Sequence, residues 1–285
     1  MRPPVKLYLL IGHSVEKSLS PAIHNAAFNA LNLDAIYVAV DVPERSLADA
    51  IGGVRALGIA GFNVTIPHKI SVMKFLDEVD ESAKSAGAVN TVVNRRGKLV
   101  GYNTDGEGAM RALMKAIRSI KGRQVVLLGA GGAGRGIAVS LAKAGAALVI
   151  ANRTVERAKA LASMAEEFGA EVSVVSVQKP ALKKIIGCAD VLINATSVGM
   201  WPESGRTLVT SDMMHRNLIV MDIVYKPLKT KLLAEAKKAG AKTIDGLGML
   251  VNQGALSFEM WTGKRAPVKV MKTAVKREMG KVSKT

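Results

Sequence analysis

The sequence predicts an α/β protein built from two α/β domains. Three observations carry that expectation. Short β-branched runs alternate with longer stretches of helical periodicity along most of the chain, the rhythm of a mostly parallel sheet with helices on both faces. Ten such runs are more than one open sheet comfortably holds, so two sheets are expected. Near the middle, a strand runs directly into a glycine-rich turn and a helix at Gln124–Gly134, which sets the second sheet apart from the first.

The strand candidates of the first part are Val5–Ile11, Ile36–Val40, Ile59–Val64 and Val89–Val93. Those of the second are Val125–Leu128, Leu148–Ile150, Val172–Val175, Val191–Ile193, Leu218–Asp222 and Lys242–Ile244. Between them, Pro21–Leu31, Leu47–Leu57, Ala133–Ala144 and Val155–Phe168 read as helices. No internal repeat or Pro-rich linker marks a boundary.

A length of 285 residues with 49% hydrophobic and 22% charged residues is a globular composition. The single cysteine, Cys188, excludes an intrachain disulfide and a cysteine-built zinc cluster, and it fits a reducing compartment. No apolar run approaches the ~18–20 residues of a membrane helix, and Leu7–Ile11 is too short for a signal-peptide core. The expectation is a soluble cytoplasmic protein, monomer or homodimer, with no membrane partner. Lys and Arg number 40 against 23 Asp and Glu, a net charge of +17. The charge fits nucleic acid, an anionic ligand or merely a basic proteome, and with 4% aromatic residues there is little material for a base-stacking surface, so no nucleic-acid partner is expected. The basic run Lys264–Lys284 carries Val268, Met271, Val275 and Met279 at helical spacing, which predicts an amphipathic helix with a solvated face.

Gly129, Gly131 and Gly134 satisfy G-x-G-x-x-G between a strand and a helix. In that context the loop Gly129-Ala130-Gly131-Gly132-Ala133-Gly134 reads as a dinucleotide site, with the pyrophosphate at the helix N-terminus. A glycine-rich packing turn is the plainer alternative. At the end of the following strand, an NAD site usually places an acid for the ribose hydroxyls. Here stand Asn152, Arg153 and Thr154, with Arg157 one turn later. Guanidinium groups grip phosphate, so NADP(H) is expected over NAD. No ligand cluster with metal spacing is present, and no metal is expected.

Four polar constellations follow strand ends in the first part. Ser18 and Ser20 precede Pro21 at a helix start, an arrangement that suits a carboxylate or simply caps a helix. The run Asn63-Val-Thr65-Ile-Pro67-His68-Lys69 projects a lysine after a proline turn. Such a lysine is either an acid–base group or an ordinary solvated side chain. Asn90 offers both donor and acceptor, and Asp105 offers a carboxylate that could pair with Lys69, bind a hydroxyl or cap the next helix.

Together with Asn194–Met200, Asp222–Thr230 and Asp245–Gly254, these segments resemble the shikimate dehydrogenase family over essentially the whole chain. The resemblance implies reversible reduction of 3-dehydroshikimate to shikimate with NADPH, a step of chorismate and aromatic amino acid biosynthesis. It also implies two α/β domains flanking a cleft, a substrate domain and a Rossmann-type NADP domain. On that basis residues 1–105 and 246–285 form a discontinuous substrate domain and 106–245 the NADP domain.

Carried over residue by residue, the resemblance gives Ser18 and Ser20 the substrate carboxylate, with Tyr225 nearby. It gives Thr65, Asn90, Asp105 and Gln253 the ring hydroxyls, and Lys69 with Asp105 the catalysis. Ile223 and Gly246 fall beside the nicotinamide end, and Glu81 near the cofactor. Ser14 and Lys17 depart from the family's usual first motif, and Gly134 and Gly136 stand where alanines are common. A quinate/shikimate dehydrogenase preferring NAD is the nearest rival reading, opposed by the missing strand-tip acid. A non-catalytic NADP-sensing module would be expected to lack Lys69 or Asp105.

Overall fold

The structure, a computed structural model, describes residues 5–282. The chain divides into two compact units. One comprises the chain up to Thr104 and again from Val251, and the other is Asp105–Leu250.

The first unit opens with β1 (Lys6–Gly12), α1 (Ser20–Ala30), β2 (Ala35–Asp41), α2 (Leu47–Ala56) and β3 (Gly61–Val64). It continues with β4 (Glu78–Val79), α3 (Glu81–Ala86), β5 (Thr91–Arg95) and β6 (Lys98–Tyr102). The six strands are ordered β2-β1-β3-β5-β6-β4. All are parallel to β1 except β5, which runs antiparallel between β3 and β6. Strands β4 and β6 were not among the expected ones, and Val89 and Asn90 precede β5 rather than belong to it.

One face of this sheet is packed by the aliphatic side of α2, with Ile51, Val54, Phe62 and Val92 buried together. The other carries an aromatic layer in which Tyr8 stacks on Phe28 and Trp261, and His24 on Tyr37. Helix α1 supplies that layer because Ile23, His24, Ala27 and Phe28 share one face at 3.6-residue periodicity. Pro21 sits in its first turn, where a missing N–H costs nothing.

The second unit contains α4 (Asp105–Leu113), β7 (Gln124–Leu128), α5 (Gly132–Lys143), β8 (Ala147–Ala151), α6 (Val155–Glu166) and β9 (Val172–Val175). After these come α7 (Lys179–Ile186), β10 (Val191–Asn194), β11 (Ile219–Asp222), α8 (Lys231–Lys238) and β12 (Lys242–Ile244). All six strands are parallel, ordered β12-β11-β10-β7-β8-β9. This is the doubly wound order with its switch point between β7 and β10, where such sheets bind ligands. The inner strands β7, β8, β10 and β11 are near-continuous apolar runs because helices cover both faces.

Helix α9 (Gly246–Thr262) begins in the second unit and continues into the first, and α10 (Val268–Val282) follows it. Met271 and Val275 of α10 are fully buried, while Val268 remains 39% exposed. The end of the expected basic helix, at Lys284, lies outside the described residues.

Candidate active site

In the first unit, strand direction brings the polar constellations to one edge. Ile11 pairs with Val64, Asn63 with Thr91, and Thr91 with Tyr102. The C-terminal ends of β1, β3 and β6 therefore lie beside the N-terminal end of β5. The segments holding Ser18, Thr65–Lys69, Asn90 and Asn103–Thr104 all leave from that edge.

A buried hydrogen-bond network fixes them. Asn90 Nδ2 donates to Thr104 Oγ1 at 2.9 Å, and Asn90 Oδ1 accepts from the Thr104 N–H at 2.8 Å. The same Nδ2 lies 3.4 Å from Gln253 Oε1 on α9. Behind it, Asn63 Nδ2 reaches Thr91 Oγ1 at 3.1 Å and Ser257 Oγ at 3.0 Å, while Asn63 Oδ1 accepts from the Tyr37 hydroxyl at 2.9 Å. Ser257 and Thr91 hydroxyls lie 2.8 Å apart. Polar groups so deeply buried are tolerated only when satisfied, and here they lock the positions of Asn90 and Gln253.

Lys69 is half-buried. The turn before it is closed by His68 N–H donating to Thr65 O, and Lys69 O accepts from the Val89 N–H at 2.7 Å. His68 is fully buried with its Nε2 2.6 Å from Val42 O, so it anchors the turn. Ser20 begins α1, and its N–H donates to Ser18 Oγ at 3.2 Å. The first turn of α1 carries no acidic side chain, so no carboxylate of its own stands at the positive end of the helix. Glu81 opens α3, exposed, and accepts from Ser85 Oγ at 2.9 Å.

The second unit holds the glycine loop and its surroundings. Gly129 has φ 105°, and a Cβ there would lie 2.9 Å from Thr196. A Cβ on Gly134 would lie 2.4 Å from Gly129 O, so this glycine lets α5 pack against the turn. Gly131 differs, because a Cβ there would meet nothing within 4 Å. Packing does not demand that glycine, and the open space beside it leaves room for a phosphate to approach the backbone. Asn152 Oδ1 accepts from the Ala130 N–H at 3.3 Å and ties the strand tip to the loop. Arg153, Thr154 and Arg157 are exposed beside it, with no carboxylate paired to either arginine among the described residues. The loop, the open first turn of α5 and the two arginines fit an NADP phosphate set.

Asp222, fully buried at the end of β11, accepts from Asn194 Nδ2 at 2.9 Å, Val224 N–H at 3.0 Å and Thr230 Oγ1 at 2.6 Å. Burial raises its carboxyl pKa, against the pull of these bonds. Asp222 thereby holds the start of the segment that carries Ile223 and Tyr225. A Cβ on Gly246 would lie 2.5 Å from Ile223 O, so the start of α9 rests on that segment. Asp105 is buried as the first residue of α4. Among the described residues no group of three or more His, Cys, Asp or Glu is placed to hold a metal ion, and no helix is long and apolar enough to cross a membrane.

Residues 10–92 match the shikimate dehydrogenase substrate binding domain, 111–246 the shikimate/quinate 5-dehydrogenase domain, and 246–276 the shikimate 5'-dehydrogenase C-terminal domain. The chain belongs to the shikimate dehydrogenase family. It is 52% identical to a protein from Methanopyrus kandleri named shikimate dehydrogenase (NADP(+)), over 93% of each chain. A crystal structure of a shikimate dehydrogenase in complex with NADP+ superposes with a TM-score of 0.91 at 47% identity, covering 96% of both chains. Shikimate 5-dehydrogenase from Thermus thermophilus, solved with NADP(H) and shikimate, superposes with a TM-score of 0.85 at 39% identity, covering 95% of this chain and 99% of that one.

For this shikimate dehydrogenase family member, the residues that sequence reading missed are the supporting ones. Asn63, Thr91 and Ser257 are separated by up to 194 positions along the chain, so no local pattern unites them. One signal was present: Ser257 follows Gln253 by one helical turn, on the same face of α9.

Proposed function

We propose that this chain catalyses the reversible NADPH-dependent reduction of 3-dehydroshikimate to shikimate. The observation that carries this reading is the single sheet edge from which the Ser18, Thr65, Lys69 and Asn90 segments leave, with Gln253 held against Asn90. Such an array offers hydroxyl, amide and ammonium groups to a small polyhydroxylated carboxylate.

Ser18 and Ser20 hold the substrate carboxylate, with Tyr225 assisting. Thr65, Asn90, Asp105 and Gln253 orient the ring hydroxyls. When bound, NADPH supplies the hydride. Lys69 Nζ donates a proton to the C3 oxygen as negative charge builds there, and takes that proton back in the oxidation direction. Asp105 orients the Lys69 ammonium. Gly129–Gly134 and Asn152 hold the pyrophosphate end of the cofactor, Arg153, Thr154 and Arg157 its 2'-phosphate, and Ile223 and Gly246 flank the nicotinamide.

The test is a crossed steady-state assay of shikimate or quinate with NADP or NAD, followed by the absorbance of reduced nicotinamide. Shikimate with NADP is expected to give the highest kcat/KM. A highest value for quinate with NAD would replace this reading with its rival, and no turnover with any pair would remove it.

A further inference from the structure

We infer that Arg135 is a third, half-buried arginine of the phosphate cradle and a determinant of the preference for a 2'-phosphorylated cofactor. The inference rests on the NADP reading above.

Arg135 is the fourth residue of α5, with its N–H donating to Gly131 O at 2.9 Å, so it lies in the first turn after the glycine loop. Its Nε is sealed from solvent and has no hydrogen-bond partner. Its Nη1 meets only the thioether of Met164 on α6, at 3.7 Å. No acidic side chain lies in the first turn of α5, and Arg135 forms no ion pair among the described residues. The guanidinium is thus partly desolvated, placed at the positive end of a helix, and unpaired.

Each of those conditions is unfavourable. A cation at a helix N-terminus is opposed by the helix dipole, and a charge that loses part of its hydration without gaining a counterion costs free energy. Arg157, in the first turn of α6, aggravates the situation. Burial first, and then the charge of Arg157, lower the pKa of Arg135. A structural role alone would be served as well by a methionine or leucine packed on Met164. An anion that arrives between α5 and the tip of β8 relieves all of these penalties together.

The cradle then has three cations with different duties. Arg153 and Arg157 are exposed and solvated, free to follow the phosphate. Arg135 is held by packing, with less rotamer freedom to lose when the anion binds. Its contribution should therefore fall on the dianionic 2'-phosphate and not on the pyrophosphate, which the backbone of the loop already holds.

The test is calorimetric binding of 2',5'-ADP and of 5'-AMP to the full chain, to Arg135→Met and to Arg135→Lys. Arg135→Met is expected to weaken 2',5'-ADP by about tenfold, the loss of one charge-assisted bond. AMP affinity should be unchanged, and the thermal midpoint without ligand unchanged or raised, because an uncompensated charge is gone. Arg135→Lys should recover part of the 2',5'-ADP affinity. An unchanged ratio of the two affinities in Arg135→Met, or an equal loss for both ligands together with a lowered midpoint, would overturn the inference and leave Arg135 a packing residue. If the unaltered chain itself binds the two ligands equally, the NADP reading fails and this inference with it.

Discussion

The side chain of Asn90 exchanges two hydrogen bonds with Thr104. It donates to the Thr104 hydroxyl at 2.9 Å and accepts from the Thr104 N–H at 2.8 Å. An amide just before β5 thereby fixes the chain where it leaves β6, immediately before Asp105. Asn90→Ala leaves that N–H and hydroxyl without their partner, at a cost of about 1–3 kcal/mol. The variant should melt at lower temperature and show a raised KM for shikimate. An unchanged melting curve would show that the pair does not hold the loop.

In the proposed site Arg153 is one of the arginines that grip the 2'-phosphate. Replacing it by alanine removes a charged bond to the 2'-phosphate, so the NADP KM should rise by roughly ten- to a hundredfold while the NAD KM stays put. Steady-state kinetics with both cofactors check this. A ratio of the two constants equal to that of the unaltered enzyme would contradict it.

His24 sets an acid limit on stability. It is fully buried, both ring nitrogens lack hydrogen-bond partners, and burial pushes its pKa down to about 3. The unfolded chain, with an ordinary imidazole near 6.5, binds the proton first. Stability from neutral His24 is therefore complete above about pH 6.5 and falls by about 1.4 kcal/mol per unit as pH drops toward 3. Denaturant titrations between pH 6.5 and 4.5 should show a shallower pH slope for His24→Leu than for the unaltered chain. Parallel slopes would rule out a buried neutral imidazole.

Gly106 marks a helix crossing. A Cβ there would lie 2.2 Å from Gly136 O and 2.1 Å from Ser140 Oγ, so α4 and α5 meet backbone to backbone. Gly106→Ala should cost about 1–3 kcal/mol by overpacking, read as a lower denaturation midpoint.

Much of this was legible in the sequence because the signals were local. The strand Gln124–Leu128, the loop Gly129–Gly134 and the arginines after β8 lie within one βαβ unit, and each residue type has a direct physical reason. The hairpin of β5 and β6 was not legible. Its turn places Arg96 at φ 55° and Gly97 at φ 93°, the left-handed pair of a two-residue hairpin, but arginine is not the residue that normally signals it. Strand β4 is two residues long, below any periodicity. The network of Asn63, Thr91 and Ser257 joins three distant segments, and only the folded sheet brings them together.

Lys69 is the most direct test. The unaltered chain and Lys69→Met are compared by kcat for shikimate oxidation and by calorimetric affinity for shikimate. The account predicts a kcat lower by about 10²–10⁴-fold with shikimate affinity largely kept. A variant that turns over at nearly the unaltered rate would contradict it.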